Sequence, residues 1–179
     1  MSIPMSTKSL IIGYGNIDRQ DDGVAWHVLV KIASQLGISR RLDPDLGCEI
    51  KTSQADLRFT LQLTPEIAEI ISTYPRVCFI DACAYPIPNG ISMIPLEAQY
   101  QPSSMTHHMT PETCLAISQV LYQRQPEAVL LSVAAHEFGF SRSLSVQTQA
   151  SIEVAADLII NWLSAPNASQ LAQVAEMQN

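Results

Sequence analysis

Short apolar runs alternating with helix-length stretches predict an α/β protein. The expected architecture is a three-layer α/β/α sandwich around a mostly parallel, twisted sheet of about five strands. Three observations carry this. Leu10-Ile11-Ile12 is a short β-branched run that ends in Gly13-Tyr14-Gly15-Asn16, and a helix-length apolar stripe follows. Val77-Cys78-Phe79-Ile80 is continuously apolar, as in central parallel strands buried on both faces. Thr64-Pro65-Glu66 and Thr110-Pro111-Glu112 are two helix-start signals, each with a capping hydroxyl, Pro at the first helical position and an early acid.

In order, residues 9–13 read as a buried strand. Residues 22–36 read as a helix, because Val24, Val28, Ile32 and Leu36 recur every four residues with Ala25, Leu29 and Ala33 beside them. Asp21 and Asp22 give the acidic first turn favoured by the helix dipole, and Gly37 is the terminator. Residues 38–46 are loop. Cys48–Ser53 is a strand and Leu57–Leu61 a second short one. A helix runs from Thr64 to about Ser72, and the apolar run 77–80 ends in Asp81. Pro86, Pro88, Asn89 and Gly90 make a turn, and the short connection predicts an antiparallel strand at Ile91–Leu96. Residues 98–109 are a long irregular loop of a kind that is often functional. A helix runs from Thr110 to about Gln123, Ala128–Ala134 is the last core strand, and residues 136–143 are loop. Ser145 begins the final helix, with Ile152, Ala155, Ala156, Ile159 and Ile160 on one face.

The 179 residues suit one domain, with a core over about residues 9–163 and a polar tail from 164 to 179. Apolar residues make up 47% and charged residues only 15%, which marks a globular rather than a disordered chain. A net charge of -7 without any basic patch argues against nucleic acid as a partner. Cys48, Cys78, Cys83 and Cys114 are scattered without a CxxC pair, so they read as buried reduced thiols, not as a disulfide scaffold or a structural zinc site. Met1–Ser9 has one Lys and no long apolar stretch. No signal peptide, membrane span or membrane partner is expected, and the expected compartment is the reducing cytoplasm.

Several residues could do chemistry. Gly13-Tyr14-Gly15-Asn16 lacks the third Gly of a dinucleotide loop, because Asp18 stands there, so its glycines read as turn residues. Asp21 and Asp22 could cap a helix, but two adjacent acids repel and are tolerable only in water or beside a cation. Asp81 follows an apolar strand directly, where α/β proteins build sites, although an Asx turn would also use it. His107 and His108 end the long loop; adjacent residues rarely both face one ion, and a surface role is the alternative. His27 and His136 read as background. GxSxG and HExxH are absent, so no conventional hydrolase triad is supported. Asp22, Asp81 and one His from 107–108 would lie above one sheet edge. Two carboxylates and an imidazole suit a borderline divalent metal such as nickel or zinc, and the same set could take cadmium.

These blocks resemble the hydrogenase maturation endopeptidases. The resemblance rests on Gly13-x-Gly15-Asn16, then Asp21-Asp22-Gly23-Val24. It continues through Gln62-Leu63-Thr64-Pro65-Glu66, Phe79-Ile80-Asp81-Ala82, Thr106-His107-His108 and Gly139–Leu144, over roughly residues 9 to 163. It implies a protease that removes a C-terminal extension from the precursor of a [NiFe]-hydrogenase large subunit after nickel insertion. The nickel would be carried by the substrate. Asp22, Asp81 and His107 would be the metal-recognising and catalytic residues, with His108 as the alternative to His107. The chain departs from several relatives in having Asp22 where they carry Glu. A non-catalytic metal- or nucleotide-binding α/β module is the alternative function.

Overall fold

The computed structural model describes residues 6–39, 43–46, 48–100 and 109–165. The expected α/β architecture holds. The described strands are β1 (Ser9–Tyr14), β2 (Cys48–Lys51), β3 (Ala55–Thr60), β4 (Arg76–Cys83), β5 (Ile91–Leu96) and β6 (Glu127–Ala134). They form one six-stranded sheet in the order β2-β3-β1-β4-β6-β5, one strand more than the approximate expectation. β3, β1, β4 and β6 run parallel, and the edge strands β2 and β5 pair antiparallel. β5 is antiparallel as its short connection predicts, but its partner is β6. Both flanks of β4 are already taken, by β1 and β6. Pro95 has no N–H to donate, and an edge strand tolerates it.

The helices are α1 (Val24–Gln35), α2 (Ile67–Ile71), α3 (Pro111–Tyr122) and α4 (Val146–Ser164). Among the described residues no helix is long and apolar enough to cross a membrane. Strand alternation sorts the core into two layers. Ile11, Leu57, Cys78, Ile80, Leu131 and Val133 pack with α1 and α4 on one face. Leu10, Ile12, Val77, Phe79 and Ala128 pack with Ile67 and Ile71 of α2 and Cys114 and Leu115 of α3 on the other.

Helix ends follow their local chemistry. Thr110 caps α3 by accepting from the Thr113 amide at 3.3 Å. α1 stops at Gly37, whose φ of 85° fits the left-handed position after a helix. α2 is shorter than the stretch expected from Thr64. Tight bonds from the Ile67 amide to the Thr64 carbonyl and from the Ala68 amide to the Pro65 carbonyl, both 3.0 Å, make a turn there instead.

The largest difference from the sequence reading lies before α1. The acid pair does not open the α-helix. It sits in a 3-10 turn, Gln20–Gly23, and no side chain caps α1. Asp21 is fully buried rather than solvated on a first turn. Its carboxylate accepts from the amides of His136 (2.8 Å), Glu137 (2.9 Å) and Ser145 (2.7 Å). The hydroxyls of Ser145 (2.7 Å) and Thr148 (2.8 Å) also donate to it. No cation is needed to make this acid tolerable, because donors from the loop after β6 and the start of α4 solvate it. The neighbouring backbone zips the same two loops together. The Gln20 amide donates to the Ser141 carbonyl at 2.8 Å, and the Ser141 amide donates to the Asp18 carbonyl at 3.1 Å.

Burial alone would raise the Asp21 carboxyl. The amides of His136, Ser145 and Glu137 and the Ser145 hydroxyl outweigh that and hold it at about 2, below its ordinary 3.8. Its ionised form therefore favours folding fully above pH ~4, and that contribution disappears as pH falls toward about 2. Asp21→Asn should destabilise the protein by about 3–5 kcal/mol at pH 7, because it breaks a buried charged network from one side. Urea unfolding at pH 7 and again near pH 2–3 checks this, with a smaller gap between wild type and variant expected in acid.

Candidate functional site

The site is built at the carboxyl ends of β1 and β4, where open α/β sheets place ligands. β1 ends at Tyr14, and the chain turns sharply at Gly15, whose φ is 138°. A Cβ there would run into the backbone carbonyl of Asp22, so the turn admits only glycine. The closed turn brings the Asn16 amide to Oδ2 of Asp22 at 2.8 Å. The glycines thus shape the chain, as the sequence suggests. Asp22 is held by its own turn, in the segment that Asp21 anchors.

Asp81 lies inside β4, two residues before its end, and not just after the strand as the apolar run suggests. The parallel register explains its surroundings. Gly13 pairs with Ile80, so Tyr14 and Asp81 come next, side by side. Across the other flank Asp81 is level with Ser132 of β6. Alternation puts Tyr14 and Asp81 on the α2/α3 face, following Leu10 and Ile12 in one strand and Val77 and Phe79 in the other. The Tyr14 hydroxyl donates to Asp81 Oδ2 at 2.9 Å.

The electrostatics follow from this packing. Burial pushes the Asp81 carboxyl up to about 6, and the charge of Asp22 adds to the rise. The Tyr14 hydroxyl and the Ala82 amide pull the other way by favouring the ionised form. Burial, and then the Asp81 charge, push the Tyr14 phenol well above its ordinary range, so it stays a donor. No Lys or Arg figures among the groups that set Asp81. The Asp22 charge is the weakest of these influences on Asp81.

His107 and His108 lie outside the described residues. The described flanks of their segment reach the start of α3. The Gln99 amide donates to the Glu112 carbonyl at 3.2 Å, and Met109 packs against the α2/α3 layer. Glu112 in turn raises the Tyr14 phenol. Among the described residues no three His, Cys, Asp or Glu side chains stand together as a metal-holding group. Two convergent carboxylates without a cationic side chain fit a divalent metal in donor chemistry, and a third donor must come from elsewhere. His27 is set apart on α1, where burial lowers its pKa and favours the neutral ring. His136 serves Asp21 through its backbone, and its ring is exposed. Burial raises the Cys78 thiol, and raises Cys114 to about 12, so neither is a ready nucleophile.

Tyr14 is the member that sequence reasoning misses. Read as part of a glycine turn, it carries no signal. The β1–β4 register and the two-residue period would have found it.

A cleft of about 460 Å³ is lined by Ala84–Ile87, Asn89 and Gly90 after β4, by Ala134 at the end of β6 with Ala135 and His136 beyond it, and by Gln147 and Ser151 of α4. Its lining holds no carboxylate, in a chain of net charge -7.

No protein-family model and no curated protein matches the sequence. Solved structures do match. The hydrogenase maturating endopeptidase HybD from E. coli superposes with a TM-score of 0.63 at 14% identity, over 88% of this chain and 92% of that one. The [NiFe] hydrogenase maturation protease HycI from Thermococcus kodakarensis KOD1 gives 0.62 at 19% identity, over 89% and 94%. The hydrogenase 2 maturation peptidase from Thaumarchaeota archaeon SCGC_AB-539-E09 gives 0.57 at 21% identity, over 88% and 99%. The chain has the fold of the hydrogenase maturation endopeptidases. The match spans each of these proteins almost end to end.

Because the Asp22 charge adds to the effect of burial on Asp81, Asp22→Asn should lower the Asp81 midpoint slightly from about 6, with burial still holding it above its ordinary 3.8. Carboxyl-carbon NMR of Asp81 across pH 3–8 reads this directly, and an unmoved midpoint would show that the two charges do not meet.

Proposed function

We propose that the chain is an endopeptidase that removes the C-terminal extension of a [NiFe]-hydrogenase large-subunit precursor after nickel insertion. One observation carries the reading: on the fold of the hydrogenase maturation endopeptidases the Asp22 charge reaches and raises the Asp81 carboxyl, and among the described residues no Lys or Arg pairs with either acid. Such a pair is poorly stable alone and gains when a cation sits between its members. A precursor already holding nickel supplies that cation, and a precursor without nickel does not. Specificity then comes from the presence of the substrate's own metal.

In this reading Asp22 and Asp81 approach the nickel with carboxylate oxygens. His107 brings the third donor, an imidazole nitrogen, with His108 as its alternative. Zinc or cadmium would suit the same donors. Hydrolysis needs a water deprotonated near the scissile carbonyl. A carboxylate oxygen not engaged by the metal could take that proton, and the substrate's metal could polarise the same water. The reducing cytoplasm is the proposed compartment, in keeping with the free thiols of Cys78, Cys83 and Cys114.

Asp22→Ala, Asp81→Ala and His107→Ala should each slow processing by more than about a hundredfold, beyond the usual loss on removing an outer-sphere partner. Circular dichroism should show the fold intact. The assay is incubation with nickel-loaded and nickel-free precursors, followed by mass spectrometry for a loss at the C-terminus. Wild-type processing by Asp81→Ala would overturn the site, and equal cleavage of both precursors would overturn metal sensing.

A further inference from the structure

We propose that Tyr14 is a positioning residue of this site: its hydroxyl fixes the Asp81 carboxylate in the orientation from which it meets the substrate's metal. The inference rests on the functional reading above.

The geometry is specific. The tyrosine ring is anchored in the apolar layer that includes Leu10, Ile12, Phe79 and Cys114. Its hydroxyl meets Asp81 Oδ2 at 2.9 Å. Filling the layer needs a ring but no hydroxyl, so phenylalanine would pack as well. A buried phenol that lacked a partner would be costly, and Asp81 is the partner that makes the hydroxyl tolerable. An Asp side chain turns broadly about its last torsion. Beside the like charge of Asp22 it would swing away unless something held it. The anchored phenol is that hold, in the way outer-sphere partners orient metal-binding groups.

The opposite end of the sheet provides a comparison. There Tyr74 donates to Asp56 Oδ2, also at 2.9 Å. That carboxylate is met by Lys8 at 3.5 Å, so the charge is answered within the chain and the pair is structural. The Tyr14–Asp81 pair has no such lysine among the described residues, and the Asp22 charge adds to the rise of Asp81. The two pairs are alike in chemistry and differ in what their carboxylates meet.

Tyr14→Phe and Tyr74→Phe therefore make a matched test. Each deletes one hydroxyl from a Tyr–Asp pair, and thermal melting reports what each costs in stability. Binding of nickel-loaded and nickel-free precursor to the full chain is measured at low temperature before turnover, and processing is timed separately. In Tyr14→Phe the preference for loaded over free precursor should fall about tenfold, and processing should slow by about 10–100-fold. Tyr74→Phe should leave both at wild-type values. Wild-type preference and rate in Tyr14→Phe would overturn the inference, as would equal losses in the two variants. Asp81→Ala separates the two levels. If it too binds and processes as wild type, the functional reading falls. If it fails while Tyr14→Phe is normal, only the role of Tyr14 falls.

Discussion

The buried carboxylate of Asp21 is the interaction on which the upper end of the molecule depends. Its donors come from His136, Glu137, Ser145 and Thr148, more than a hundred residues along the chain. It replaces water for all of them at once, and they replace water for it. Through this carboxylate the loop before α1 is tied to the loop after β6 and to the first turn of α4. Ser145 has two roles here. It caps α4 by accepting from the Thr148 amide at 3.3 Å, and its hydroxyl donates to Asp21. One anion thus sets the start of a helix and the path of two loops. The next residue, Asp22, inherits its place from that anchor. It is closed from the other side by the Gly15 turn and the Asn16 amide.

The fold class was legible because burial writes itself into a sequence. Ile11 and Ile80 face one layer, Ile12 and Phe79 the other, and an apolar run without alternation is what two covered faces demand. The helix starts at Thr110 and Ser145 were legible because capping is local. Asp22 and Asp81 stand out in the sequence because each lies where an apolar element gives way to polar chain. Asp21 was misread for a physical reason. An acid beside a helix start normally meets the helix dipole, and nothing within twenty residues announces donors that arrive from residues 136–148. The partner of β5 was illegible in the same way, since which edge accepts a strand depends on which flanks are already occupied. Tyr14 was hidden because its meaning lies in a register with β4, some sixty-seven residues away.

Asp21, Asp22 and Asp81 show how one functional group takes three roles from its surroundings. Asp21 is wrapped in donors, so burial strengthens its hydrogen bonds and its carboxyl sits at about 2. Asp81 is half-buried, with fewer donors and the Asp22 charge adding a little to the effect of burial, so it sits at about 6. The first is spent on structure, since every lone pair that matters is taken. The second is held ready, because the ionised form is only just favoured near neutrality. For Asp81 the sign is opposite to that for Asp21. A carboxyl raised in the folded state favours folding while protonated, and that contribution is lost as pH rises through about 6. The chain gives up stability at neutral pH to keep that group.

That sacrifice is informative because the same chain shows cheaper ways to hold an acid. At the far end of the sheet Asp56 has a tyrosine and a lysine. On the surface, Asp18 and Asp45 share the guanidinium of Arg142 at 2.6 and 2.8 Å. Arg76 shows that even a buried cation can be housed. It donates to the Trp162 and Ala165 carbonyls at the end of α4, lies 4.1 Å over the Trp162 ring and pairs with Glu127 at 3.4 Å. Each of these charges is answered by a group within the chain. Asp81 and Asp22 are met by a hydroxyl and an amide, and among the described residues no Lys or Arg pairs with either. A countercharge from a partner would complete the site, and under the proposed function a nickel-loaded precursor brings one.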